Sequence, residues 1–101
     1  MAGADTLQTF TIDLPDQDAA MALAGDAEAT LHRLEALTGA SLVLRGLCLQ
    51  LRGRPNQLER ASGLVELLRP IWQEGQSVTA VDVQTALVAL DSYKLVRVRI
   101  V

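Results

Sequence analysis

The sequence predicts a small α/β domain of the α+β kind, in which a three-stranded sheet carries helices on one face. Three observations predict it. Between Gly25 and Gly39 the leucines recur at helical spacing. The run SLVLRGLCLQLRG then switches to strict alternation, the mark of half-buried strands. Beyond Gly53 the helical period returns in PNQLERASGLVELLRP. With a strand and a short helix before them, the order becomes strand, helix, helix, strand, strand, helix.

The first strand is read near 7–13, where LQTFTIDL sets Leu7, Phe10 and Ile12 among polar neighbours. Pro15-Asp16 ends it, and QDAAMALA forms a helix near 17–24 that stops at Gly25. The second helix, near 27–37, buries Leu31, Leu34 and Leu37, with Ala24 and Ala27 on or near that side. Gly39 closes it, since a left-handed C-terminal residue costs Gly nothing. Strands near 41–45 and 47–52 follow, joined at Arg45-Gly46, where Gly supplies the positive φ of a tight hairpin. Pro55 suits the first turn of a helix near 56–69, whose apolar face is Leu58, Ala61, Leu64, Val65 and Leu68. Pro70 breaks or kinks it. IWQEGQS reads as a connector, and Thr79 with Asp82 three residues on reads as a capping box with Asp in place of Glu. A last helix near 80–90 packs through Val83, Ala86, Leu87 and Leu90. The ending, YKLVRVRIV, alternates Val96, Val98 and Ile100 with Arg97 and Arg99, which fits a terminal strand or a piece cut from something longer.

Composition bounds the function. At 101 residues the chain is one domain, and with half of its residues apolar it builds a core. Aromatic residues make up 3% of it, so no row of rings is available for stacking bases. Cys48 is alone, which excludes an internal disulfide and fits a reducing, cytoplasmic setting. The apolar runs fall short of a membrane span, and the amino terminus is acidic where a signal peptide is basic. His32 has no paired nucleophile, and its spacing from Cys48 matches no metal site. The sequence therefore predicts no catalytic, metal or cofactor site in this chain.

The net charge of −3 is unevenly spread. Residues 1–32 hold Asp5, Asp13, Asp16, Asp18, Asp26 and Glu28 with no Lys or Arg. Residues 33–69 hold Arg33, Arg45, Arg52, Arg54, Arg60 and Arg69 against Glu35, Glu59 and Glu66. Arginine grips phosphate bidentately and stacks on bases, so the basic middle fits weak, salt-sensitive RNA binding. The competing reading is six arginines on solvated faces with no partner.

The element order resembles that of a K-homology (KH) domain. Leu14-Pro15, LAGDAEATLHRLEALTGASLVLRG, the strand ending in Gly53, LERASGLVELL and SVTAVDVQTAL together resemble the amino-terminal domain of PhoH-like ATPases, over roughly residues 7–90. The resemblance implies a KH-like domain over 7–70. It also implies a connector, C-terminal helix and tail over 71–101 that lead toward a P-loop ATPase domain, where ATP and Mg would bind. The chain has no Gly-x-x-x-x-Gly-Lys-Ser/Thr, so it is itself expected not to be an enzyme. A KH domain clamps RNA with a Gly-x-x-Gly loop between its first two helices. The matching positions here are Gly25, Asp26, Ala27 and Glu28, so the second Gly is replaced and two carboxylates stand near the phosphate path. In the first turn of a helix those acids also have a structural use, because the dipole favours them there. By the same resemblance Arg33, Arg45 and Gly46 are the other candidate RNA contacts. Partners then are single-stranded RNA, bound weakly, and an ATPase domain or another subunit. The alternative is an interaction or oligomerisation module with the KH shape and no RNA affinity. Trp72 either pins the last helix to the core or offers an interface.

Overall fold

The computed structural model describes the backbone of residues 7–100 and the side chains of residues 7–92. Its elements are β1 (Gln8–Asp13), α1 (Gln17–Ala24), a 3₁₀ turn (Asp26–Glu28), α2 (Ala29–Thr38), β2 (Ser41–Arg45), β3 (Cys48–Gly53), α3 (Pro55–Leu67), α4 (Arg69–Trp72) and α5 (Ala80–Ile100). β3 lies in the centre of an antiparallel sheet of order β1-β3-β2. The register sets Phe10, Leu51 and Leu42 in one cross-strand row, and Ile12, Leu49 and Leu44 in the next. Side chains alternate across a strand, so these residues share the face that the helices cover. Leu42, Leu49, Leu51 and Ile12 are buried there with Leu23, Leu31, Leu34, Leu64 and Val65. The other face carries Thr9, Thr11, Asp13, Val43, Arg45, Gln50 and Arg52 and is open. The domain is thus the expected α+β unit with its helices on one side.

Helix ends follow local chemistry. Asp16 caps α1, its carboxylate accepting the Ala19 N–H at 2.8 Å. Pro55 opens α3, and the Gln57 side chain reaches back to the Arg54 N–H at 2.9 Å. Pro70 lacks the N–H that would continue α3, so the chain ends that helix at Leu67 and restarts as α4. Within this break Glu66 takes the Arg69 guanidinium on both oxygens, at 2.8 and 2.7 Å. That hydrogen bonding holds the Glu66 carboxyl below its ordinary 4.5. α5 begins in the expected reciprocal cap: Thr79 N–H donates to Asp82 Oδ2 at 2.9 Å, and Asp82 N–H to Thr79 Oγ1 at 3.1 Å.

The structure corrects the sequence reading in several places. The second helix starts at Ala29, because residues 26–28 form a separate turn, so Asp26 and Glu28 precede its first turn. Leu37, assigned to the buried stripe, is more than a third exposed, and Thr30 and Thr38 are buried instead. The terminal strand is not found: α5 continues through the alternating segment to Ile100. No Gly or Pro lies between Ala80 and Val101 to stop a helix. Trp72, placed by sequence in a connector, sits in α4. No helix among the described residues is long and apolar enough to cross a membrane.

Candidate functional site

The loop between α1 and α2 is the conformationally unusual part of the chain. Gly25 has φ 78° and ψ 177°, and the next positive φ values belong to Ala27 (52°) and Glu28 (60°). Residues with a Cβ meet a penalty of about 1–2 kcal/mol each in the left-handed region. The loop holds this shape through a Glu28 N–H bond to the Gly25 carbonyl at 3.2 Å, and through the Gly25 N–H on the Met21 carbonyl at 3.0 Å. Glu28 is the N-cap of α2 but makes no side-chain cap, so its carboxylate is free to point into solvent. At Gly25 no other residue fits: a Cβ there would stand 2.6 Å from Thr30 Oγ1.

Thr30 ties this loop to the connector. Its hydroxyl donates to the Val78 carbonyl at 3.2 Å, and the Val78 N–H donates to the Ala22 carbonyl at 3.1 Å. The chain before α5 is therefore sewn across the C-terminal end of α1 and the first turn of α2. Beside this seam lies a groove of about 620 Å³, whose lining includes Met21, Gly25, Asp26, Arg33, Leu44 and Ser77.

The structure separates the candidate residues into two groups. Gly25, Asp26 and Arg33 line one groove, with Ala27 and Glu28 exposed in the adjoining turn. Arg45 and Gly46 do not line it. Leu44 faces the helices, so Arg45 alternates onto the open sheet face, across from Cys48 and, one strand further, Asp13. Gly46 forms the exposed turn with Leu47, at φ 61°. Arg33 and Arg45 hold no ion pair among the described residues, where the pairs are Arg60–Asp91 and Glu66–Arg69. Trp72 is fully buried, its indole N–H donating to the Val65 carbonyl at 2.9 Å, with the Arg69 guanidinium 4.7 Å from its ring centre. It offers no open surface, so the interface role is replaced by internal packing. His32 and Cys48 belong to no group of metal-binding side chains among the described residues.

Sequence reasoning missed Thr30, Met21, Leu44 and the connector residues of the groove. A Thr in a helix carries no signal that its partner lies 48 residues away.

What the groove can do is limited by its charge. One guanidinium, Arg33, lines it and is available to an anion, and the Asp26 carboxylate in the same lining opposes that. The first turn of α2 supplies backbone N–H groups, as the start of any helix does.

No protein-family model matches the chain. It is 38% identical over 86 residues to a PhoH-like protein of Synechocystis sp. (strain ATCC 27184 / PCC 6803 / Kazusa), a match that covers 85% of this chain and 26% of that protein. The chain therefore spans about a quarter of the relative's length. In three dimensions it is similar to Dim2p from Pyrococcus horikoshii OT3, with a TM-score of 0.63 and 20% identity, over 80% of this chain and 48% of that one. At that identity the likeness speaks for the fold. The β-α-α-β-β-α order and the β1-β3-β2 sheet agree with it. The chain thus has a KH-like fold, and its sequence is similar to one stretch of a PhoH-like protein.

Proposed function

We propose that this domain is the amino-terminal accessory module of a PhoH-like ATPase and that it binds single-stranded RNA weakly. The RNA backbone would lie in the groove between the Gly25–Glu28 loop, Arg33 and Leu44. The observation that carries the reading is the backbone of that loop. Glu28 stands where a KH loop has its second Gly, and it keeps a left-handed φ of 60° that favours Gly. A Glu held in that conformation points to a loop shape retained for its own sake. The nucleotide chemistry of such a protein, with ATP and Mg, belongs to the part of the family's sequence that follows this domain.

Asp26 and Glu28 favour the second reading, an interaction module without RNA affinity. Like charges near a surface repel a phosphate by about a kcal/mol or more at close range. One titration separates the two. At low salt, a fluorescent oligoribonucleotide is expected to bind with a Kd in the range of about 10⁻⁴–10⁻⁶ M usual for non-specific contacts. Asp26→Gly with Glu28→Lys should tighten it at least about tenfold, and Arg33→Ala should weaken it. No binding by either form at any salt leaves the interaction module as the answer.

A further inference from the structure

β1 is an edge strand of the sheet, and no other described strand pairs with its outer side. Leu14 donates its N–H to the Leu47 carbonyl at 2.8 Å, and this pair continues the β1–β3 register. Backbone groups alternate in an antiparallel ladder. The even-numbered residues of β1 thus turn theirs toward β3, and Thr9, Thr11 and Asp13 turn theirs outward. Sheet edges are commonly blocked by Lys, Pro, a bulge or a covering segment. QTFTID carries none of the first two, and its pairing with β3 is continuous over all of its residues. The other edge is treated differently, since Glu35 reaches over β2 and accepts the Leu42 N–H at 2.9 Å.

The side chains mark the same edge. Phe10 lies on the helix-covered face yet is 48% exposed, and Leu7, just before the strand, is 52% exposed. Between Phe10 and α3 runs a cleft of about 270 Å³, bordered by Pro55, Leu58, Glu59 and Ser62. A core-facing phenylalanine with only half its surface covered leaves apolar area for a neighbour.

We propose that a second copy of this chain pairs with β1, antiparallel, about a twofold axis at Phe10. The pattern of the edge selects this occupant. Outward-facing Thr9 and Thr11 flank Phe10 at equal spacing, so a twofold through Phe10 sets each Thr opposite the partner's other Thr. Both backbone pairs then close. The two Phe10 rings meet as a non-hydrogen-bonded cross-strand pair, where side chains come closest. Asp13, the one charge in the strand, falls opposite Leu7 of the partner subunit, so the strand meets itself without like charges opposed. An acidic or basic partner would find little charge here to recognise. The two sheets join into one, and the cleft beside α3 is closed from the far side. A contact of one strand and one aromatic pair lies at the small end of interface sizes, so the dimer is weak and forms in the micromolar range or above. It stands apart from the RNA groove and does not depend on that reading.

Sedimentation equilibrium over a range of concentrations tests it. The native chain should show a reversible monomer–dimer equilibrium. Thr11→Pro removes one outward N–H and no bond to β3, and should raise the dimer dissociation constant at least about tenfold. Phe10→Glu, which places two carboxylates at the axis, should do the same if the proline variant fails to fold. In a Cys48→Ser background, Phe10→Cys should cross-link to a disulfide dimer under mild oxidation, since cross-strand Cα atoms of such a pair are about 4.5 Å apart. Gln50→Cys, on the open face of the central strand, should not. A chain that stays monomeric to millimolar concentration overturns the proposal, as does a dimer indifferent to both substitutions.

Discussion

At the scale of single residues, Trp72 shows how one side chain repairs a break that another creates. Pro70 interrupts the helix, and the Val65 carbonyl near the end of α3 is met by the Trp72 indole. The ring is fully buried against the core, so it contributes packing as well as a hydrogen bond. Trp72→Phe keeps much of the apolar volume but leaves a buried carbonyl unpaired, at a cost of about 1–3 kcal/mol. In a domain of this size each kcal/mol moves the melting temperature by about 4–8 °C, so calorimetry should show a clear fall. A change of less than about 2 °C would mean that the carbonyl finds another donor. Sequence placed Trp72 after Pro70 but gave no sign of this partner, because the bond depends on how sharply the chain turns. The left-handed φ of Glu28 was equally hidden. Gly announces a positive φ in sequence, while Glu at such a site does not.

At the scale of elements, the sheet and most helices were legible. Leu47, Leu49 and Leu51 alternate too regularly for a helix, and Gly25, Gly39 and Gly53 punctuate the chain where elements end. The Thr79–Asp82 cap was legible for a similar reason, since both partners lie within one turn. The extent of α5 was not. Five residues alternating Val or Ile with Arg satisfy a strand pattern, but they follow a capped helix with no Gly or Pro to end it. The connector before α5 was also illegible, because what fixes it is a contact between distant elements. Thr30→Val tests that contact, as it preserves shape while removing the hydroxyl that meets the Val78 carbonyl. The expected loss is about 1–3 kcal/mol of unfolding free energy in urea, with faster hydrogen exchange at Val78 and at the first turn of α5. If exchange there stays slow, the Val78–Ala22 bond alone holds the seam.

At the scale of the whole molecule, the distribution of charge decides how RNA binding should respond to salt. Read along the chain, the arginines form a basic middle third. Folding scatters them: Arg33 enters the groove, Arg45 and Arg52 go to the open sheet face, and Arg60 and Arg69 pair with Asp91 and Glu66. Only a fraction of the basic charge seen in sequence can therefore meet one strand of RNA at once. For single strands, log K falls with log salt by about 0.7 per phosphate neutralised. With Arg33 as the one groove arginine, the slope should be about −0.7. Fluorescence anisotropy between low and physiological salt measures this directly. Arg33→Ala should then flatten the slope toward zero. A slope of about −3 or steeper, unaffected by Arg33→Ala but reduced by Arg45→Ala with Arg52→Ala, would move the RNA to the open face of the sheet. In that case Thr11 and Gln50, which lie between those arginines in the register, and Thr9, which pairs with Arg52, become its polar contacts.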